Sequence, residues 1–230
     1  MPHAGGRWAS AIFHAGASLR ASRQSLDPPF PGRYLTPTAP KGTHTLTVPS
    51  RRKGVQTLCY NFSIMFKSSP GQPWCEVQSQ VDENLLCHFD CENNKVMKAS
   101  LLGKKLNTMK EWEEQLQTLR DIGVELRQRV PDIELENYSP SAPVTLQAKM
   151  CCQLDTGGST TSSWLFGFDG QLFLLFNPET MKWIQIHPGA RLMKKAWERD
   201  GDLIALLKRT SRGDCRVWLK PWVEELQPPV

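Results

Sequence analysis

The sequence predicts an α+β fold in which one eight-stranded antiparallel sheet is covered on one face by two long helices. Three observations lead there. The order strand-strand-strand-strand-helix runs twice, over residues 57–140 and again over 141–228. Each helical stretch carries a single apolar stripe, which demands one apolar surface to lie on. The most strongly patterned stretch, residues 163–188, reads as a three-strand meander.

The meander turns on Asp169-Gly170, the pair that best tolerates the two positive φ angles of a tight hairpin. With Phe168 facing Gln171, Phe166 is expected opposite Phe173 and Trp164 opposite Leu175. Leu165, Leu172, Leu174 and Phe176 are then left on the other side. Asn177-Pro178-Glu179-Thr180 makes the next turn, and Met181–His187 returns as a strand. Both faces are apolar, so the face away from the helices, bearing residues such as Phe173 or Leu174, is expected to need cover of its own.

In chain order, residues 1–56 hold seven of the 17 prolines, and their only acid is Asp27. This segment is expected to be a disordered or non-native extension. The apolar stretch Trp8–Leu19 is interrupted by Ser10, His14 and Gly16, so no clear secretion signal is expected, and Gln227–Val230 reads as no anchor tail. Alternation begins at Leu58 and continues to Phe66. Further strands are expected at Trp74–Val81, Leu85–Cys91 and, more weakly, Val96–Leu102.

A first helix opens on a capping box, Thr108 with Glu111. Its stripe is Met109, Trp112, Leu116, Leu119, Ile122, Leu126 and Val130, and Pro131 stops it. After the loop 131–143, Val144–Leu154 is a strand and Thr156-Gly-Gly-Ser a turn before the meander. The second helical region, Gly189–Thr210, breaks near Gly201. Gly213-Asp214 is expected to cap a last piece through Val217, Trp218 and Trp222, kinked at Pro221.

The net charge of +5 lies in the wrong place for a nucleic-acid binder. Residues 1–56 have 8 basic residues against one acid, whereas the remainder has 20 against 22. A fold that grips phosphate concentrates basic residues on its own surface. No apolar run is long enough to span a membrane.

Seven cysteines stand at 59, 75, 87, 91, 151, 152 and 215, with no paired CxxC spacing for zinc, so no metal is expected. Disulfides are the better account, and they imply an oxidising compartment. A three-residue loop at 82–84 makes opposing positions sum to 166, which sets Cys75 opposite Cys91 and Cys87 opposite Ser79. Cys215, on the last helix, is expected to bridge to either Cys151 or Cys152, since adjacent strand residues point to opposite faces. Cys59, Cys87 and the unused neighbour are expected to remain free.

Several motifs together resemble one family. They are LCYNF (58–62), GQPWCEVQ (71–78), VDENLLCHFDC (81–91), LLGKKLN (101–107), LENYSPSAPVTLQAKMCC (135–152), SWLFGFDGQLFLLF (163–176), Trp183 with HPGA (187–190), and Gly213-Asp214-Cys215 with Trp218-Leu219. The set resembles the ULBP or retinoic acid early transcript 1 family, class I histocompatibility-like ligands of the natural killer group 2D receptor. The resemblance implies an MHC class I-like alpha-1/alpha-2 platform with no β2-microglobulin, no bound peptide and no cofactor, at the cell surface or outside the cell. It also implies the bridges Cys75–Cys91 and Cys152–Cys215. Asn61 and Asn137 open glycosylation sequons.

The expected function is a non-enzymatic ligand that engages the dimeric receptor through the two helices and triggers natural killer cytotoxicity. The residues assigned to contact are Leu116, Gln117, Arg120 and Asp121 on the first helix and Lys194, Lys195, Glu198, Arg199 and Asp200 on the second. A class I-like carrier of a lipid or other apolar molecule is the alternative, though Trp112, Met193 and Trp197 are large enough to fill a groove. An enzyme is disfavoured: no GxSxG occurs, and the histidines at 3, 14, 44, 88 and 187 lie in the tail or in strands.

Overall fold

Eight strands join into one antiparallel sheet in the computed structural model, in the order β4-β3-β2-β1-β5-β6-β7-β8. They are β1 (Gln56–Met65), β2 (Cys75–Val81), β3 (Asn84–Asp90), β4 (Lys95–Ala99), β5 (Thr145–Leu154), β6 (Thr160–Phe168), β7 (Gln171–Asn177) and β8 (Lys182–Gln185). The structure describes residues 56–67, 70–82, 84–106, 110–130, 135–140 and 144–225, all within the unit Gly54–Val230. The expected extension, apart from Gln56, and Thr108 of the expected capping box lie outside the residues so described.

The two four-strand sets meet at β1 and β5, which pair over ten positions from Gln56 opposite Leu154 to Met65 opposite Thr145. Alternation decides what each face carries. One row runs Tyr60, Met150, Trp164, Phe176 and Trp183 across five strands, all buried on the helix side. The next row, on the opposite face, runs Asn61, Lys149, Leu165, Leu175 and Ile184, and Ile184 is 46% exposed.

The expected meander register holds at the turn and slips beyond it. Phe168 faces Gln171 and Gly167 faces Leu172, but Phe166 then pairs with Leu174 and Trp164 with Phe176. The cause is a bulge that leaves Phe173 as the extra residue. Leu174 and Phe176 therefore join Phe166 and Trp164 beneath the helices. Phe173 packs edge-on to Phe168 at 5.4 Å and stacks on His187 at 4.2 Å. Phe173 and Leu174 are both fully buried; the outer face carries Leu165, Leu175 and Ile184 instead.

The β2–β3 hairpin behaves alike. Ser79 faces Cys87 and Glu76 faces Asp90, as the sum of 166 requires, but a bulge after Ser79 brings Val81 opposite Asn84 and shortens the expected loop. Beyond β4, the stretch expected to continue as strand through Leu102 forms a short helix, α1 (Leu101–Leu106). Ser100 starts it by accepting the Gly103 N–H on its hydroxyl at 3.1 Å.

Helix α2 (Lys110–Arg129) places Trp112, Leu116, Leu119, Ile122 and Leu126 in the core. The second helical region has three segments: α3 (Arg191–Trp197), α4 (Gly201–Arg209) and α5 (Cys215–Glu225). The break before Gly201 is capped by Asp200, which accepts the Leu203 N–H at 2.9 Å. At Gly213-Asp214 the expected cap is replaced by a π-helical turn, Thr210–Asp214, that runs straight into α5. The wider turn shifts the carbonyl pairing. The Leu207 carbonyl accepts the Ser211 hydroxyl at 2.5 Å and the Trp164 indole N–H at 3.3 Å.

Three bridges form. Cys75–Cys91 and Cys152–Cys215 are present, both fully buried on the helix side. The third, Cys59–Cys151, corrects the expectation that these two remain free. They stand directly opposite on β1 and β5, on the outer face, a pairing that no count along either half could show. Cys87 alone among the described cysteines is unbridged, buried with its sulfur 3.1 Å from the Ser79 hydroxyl.

Candidate binding surface

The space between sheet and helices is filled with side chains. The Tyr60 hydroxyl donates to Gln115 Oε1 at 2.8 Å, and the Trp218 ring meets Tyr60 edge-on at 5.5 Å. Trp164 stacks on Phe62 and on Phe166, whose ring Trp197 meets edge-on at 4.9 Å. Trp183 packs against Trp197 at 5.6 Å, and Met193, on the same turn-spaced face of α3, is fully buried. Rings of this size each bury roughly 150–250 Å² and dominate such a core.

With that side occupied, the helices present their other faces outward. On α2, Gln117 and Asp121 are exposed and joined by a 2.8 Å hydrogen bond from Gln117 Nε2 to Asp121 Oδ1, one turn apart. Arg120 is half-buried between them. On α3 and the link that follows it, Lys195, Glu198 and Arg199 are exposed, and Lys194 pairs with Glu198 at 2.6 Å.

Two of the nine expected contact residues are differently employed. Leu116 is 9% exposed and belongs to the core, because it continues the stripe Trp112–Leu119. Asp200 caps α4 and also accepts Arg129 Nε at 2.5 Å. Arg129 is the residue that the helical pattern did not single out. Its place in the last turn of α2 shows only as a favourable position for a cation near a helix C-terminus, and nothing in the linear sequence indicates that α4 begins within its reach. Arg127, in the same turn, lies over the Trp74 ring at 4.5 Å.

The charges here are structural in their effect. The Arg129 guanidinium holds the Asp200 carboxyl below its ordinary value, assisted by the Leu203 N–H. Glu136 contacts Arg191 through both carboxylate oxygens, tying the segment before β5 to the start of α3. Its carboxyl is likewise lowered by that hydrogen bond. Nearby, Tyr138 donates to Asp169 Oδ2 at 2.7 Å; partial burial and that carboxylate push its hydroxyl up to about 12.

No three of the described His, Cys, Asp or Glu side chains come together to hold a metal. Cys91 is bridged, and Cys87 and His88 point to opposite faces of β3. Of the two sequons, Asn137 is exposed at a turn with φ of 52°. Asn61 lies in mid-strand between Gln78 and Lys149. No described helix is long and apolar enough to cross a membrane.

This architecture agrees with the comparisons to known proteins. Residues 54–227 match the family model described as class I histocompatibility antigen, domains alpha 1 and 2. UL16-binding protein 1 of Homo sapiens is 44% identical over 191 residues, 80% of this chain and 78% of that protein. The chain belongs to the class I histocompatibility family, among the UL16-binding and retinoic acid early transcript 1 proteins. UL16-binding protein 2 of the same organism is also 44% identical, over 75% of this chain and 70% of its own length. Retinoic acid early transcript 1E, also human, is 38% identical over 74% and 64%. In family terms, the repeated β4α unit forms the platform, and the outward faces of α2 and α3 form its upper surface.

Proposed function

We propose that the chain is a non-enzymatic ligand of the natural killer group 2D receptor homodimer, bound across the upper surface of both helices, and that its display triggers natural killer cytotoxicity. Family membership supports this reading. The observation that carries it is the division of the helices: their inner faces are spent on a filled core, while Gln117, Arg120 and Asp121 on α2, Lys194 and Lys195 on α3, and Glu198 and Arg199 on the link after it are exposed or half-buried. A symmetric receptor can then meet a different helix with each half. Acidic and basic groups alternate there, which suits a partner read by charge pattern rather than a phosphate backbone.

The carrier reading draws less support, because Tyr60, Gln115, Trp197 and Trp218 occupy the space a lipid would need. Peptide and β2-microglobulin have no part in this proposal. Display at the cell surface or outside it, with a glycan on Asn137 in preference to the mid-strand Asn61, completes the reading. The test is binding of the full chain to immobilised receptor ectodomain by surface plasmon resonance. Saturable binding is expected; its absence with all three bridges verified overturns the proposal.

A further inference from the structure

The three bridges differ in what surrounds them. Cys75, Cys91, Cys152 and Cys215 are each fully buried between sheet and helices. The first pair is sealed from above by α2: a side chain begun at Gly123 would lie 2.6 Å from the Cys75 sulfur. Cys59–Cys151 lies on the opposite face of the sheet, where the described helices do not cover it. Cys59 is 5% exposed and Cys151 half-buried, so Cys151 is the most solvent-accessible of the six bridged cysteines.

Its backbone setting differs too. The Cα atoms are 4.1 Å apart, against 5.3 and 6.2 Å for the other two bridges and about 4.4–6.8 Å in disulfides generally. Directly opposed antiparallel strand residues already stand about 4.5–5.5 Å apart without any covalent link. The β1–β5 ladder continues on both sides of the pair, with Asn61 opposite Lys149 and Thr57 opposite Gln153. Opening the bridge therefore leaves the two sulfurs facing each other in a paired sheet, ready to close again.

We propose that Cys59–Cys151 is a reversible thiol–disulfide exchange site, taking a dithiol reductant as its co-substrate while the other two bridges stay closed. A reductant thiolate attacks the Cys151 sulfur in line with the S–S bond. That bond breaks, Cys59 leaves as thiolate and takes up a proton, and a mixed disulfide remains on Cys151. The second thiol of the reductant then attacks its own sulfur in the mixed bond and releases Cys151 as thiol. The dithiol is oxidised to its disulfide, and the protein gains two electrons and two protons.

The test treats the native full chain with graded dithiothreitol at neutral pH, quenches with iodoacetamide, then unfolds, reduces fully and labels the remaining thiols with a heavy form of the reagent. Peptide mapping is expected to show native-state label rising together on Cys59 and Cys151 at reductant concentrations that leave the other four bridged cysteines at least tenfold less labelled, with an unchanged circular dichroism spectrum. A thioredoxin-type reductant lacking its resolving cysteine is expected to be trapped on Cys151. The Cys151→Ser variant is expected to lose the early-labelled class of bridge thiols. Equal release of all three bridges, protection of Cys59–Cys151 equal to the buried pairs, trapping on any other cysteine, or no Cys59–Cys151 peptide in the unreduced map overturns the proposal.

Discussion

Arg129 Nε donates to Asp200 Oδ2 at 2.5 Å across 71 residues of sequence, joining the last turn of α2 to the first of α4. The same carboxylate caps α4 through the Leu203 N–H. Asp200→Ala removes both roles, so a loss of about 1–2 kcal/mol is expected, roughly 1 from the cap and less than about 1 from an ion pair that water screens. Asp200→Asn keeps an oxygen for the cap and should recover most of that loss in urea unfolding. If the two variants are equally destabilised, the cap is not the larger part.

The same pair has a pH signature. Arg129 lowers the folded Asp200 carboxyl below its ordinary 3.8. A lowered folded value stabilises above the unfolded one and is lost as pH falls through the folded one. The melting-temperature gap between wild type and Asp200→Asn should therefore be constant above about pH 5 and close below pH 4. A gap that persists at pH 2 contradicts it.

On β3 the sign is reversed. His88 Nε2 lies 3.3 Å from Glu76 Oε2, and that contact raises the imidazole; Asp90 adds to the rise, while partial burial and Lys98 oppose it. A raised folded value gives stability that is full below the unfolded value of 6.5 and lost as pH rises through the folded one. Glu76→Gln is expected to lower the His88 titration midpoint measured by NMR and to flatten the stability slope above pH 6.5. An unmoved midpoint rules out Glu76 as the main cause.

Gly123 passes directly over Cys75–Cys91, and a Cβ there would stand 2.6 Å from one sulfur and 3.6 Å from the other. Alanine improves helix propensity by about 1 kcal/mol, but overpacking of this kind costs about 1–3 kcal/mol. Gly123→Ala is expected to be net destabilising by denaturant midpoint, whereas Gly201→Ala, with open space around it, is not. A more stable Gly123→Ala would mean that the helix lifts at no cost.

Much of this architecture was legible along the chain because it rests on period and spacing. The strand alternation from Leu58, the Trp112–Leu126 stripe and the Asp169-Gly170 turn each depend on local chemistry alone, as does Cys75 opposite Cys91. The misses have a shared physical cause. Bulges at Ser79 and Gly167 add a residue to one strand without a mark in the sequence, and the π turn at Thr210–Asp214 does the same for a helix. Cys59–Cys151 and Arg129–Asp200 depend on how two distant halves meet. On the first helix the stripe leaves Gln117 and Asp121 exposed and Arg120 half-buried, while Leu116, which continues that same stripe, lies in the core.

The proposed receptor surface makes its own demand on charge. Arg120 on α2 and Lys195 on α3 both lie outside the apolar stripes, and Lys195 is exposed while Arg120 is half-buried. Reversal at either, as Arg120→Glu or Lys195→Glu, is expected to change folding stability by no more than about 0.5 kcal/mol, as surface substitutions do. Charges that only face water would leave receptor affinity untouched as well. If the receptor sits across both helices, each reversal should weaken binding, and plasmon resonance at two salt concentrations shows how. A rim charge slows association and loses its effect at high salt, whereas a charge at the centre speeds dissociation and keeps most of its effect. Because a symmetric receptor applies like surfaces to unlike helices, the two reversals should both act, and by different amounts. Two variants that fold normally and bind as the wild type does would remove the helix tops from the proposed interface.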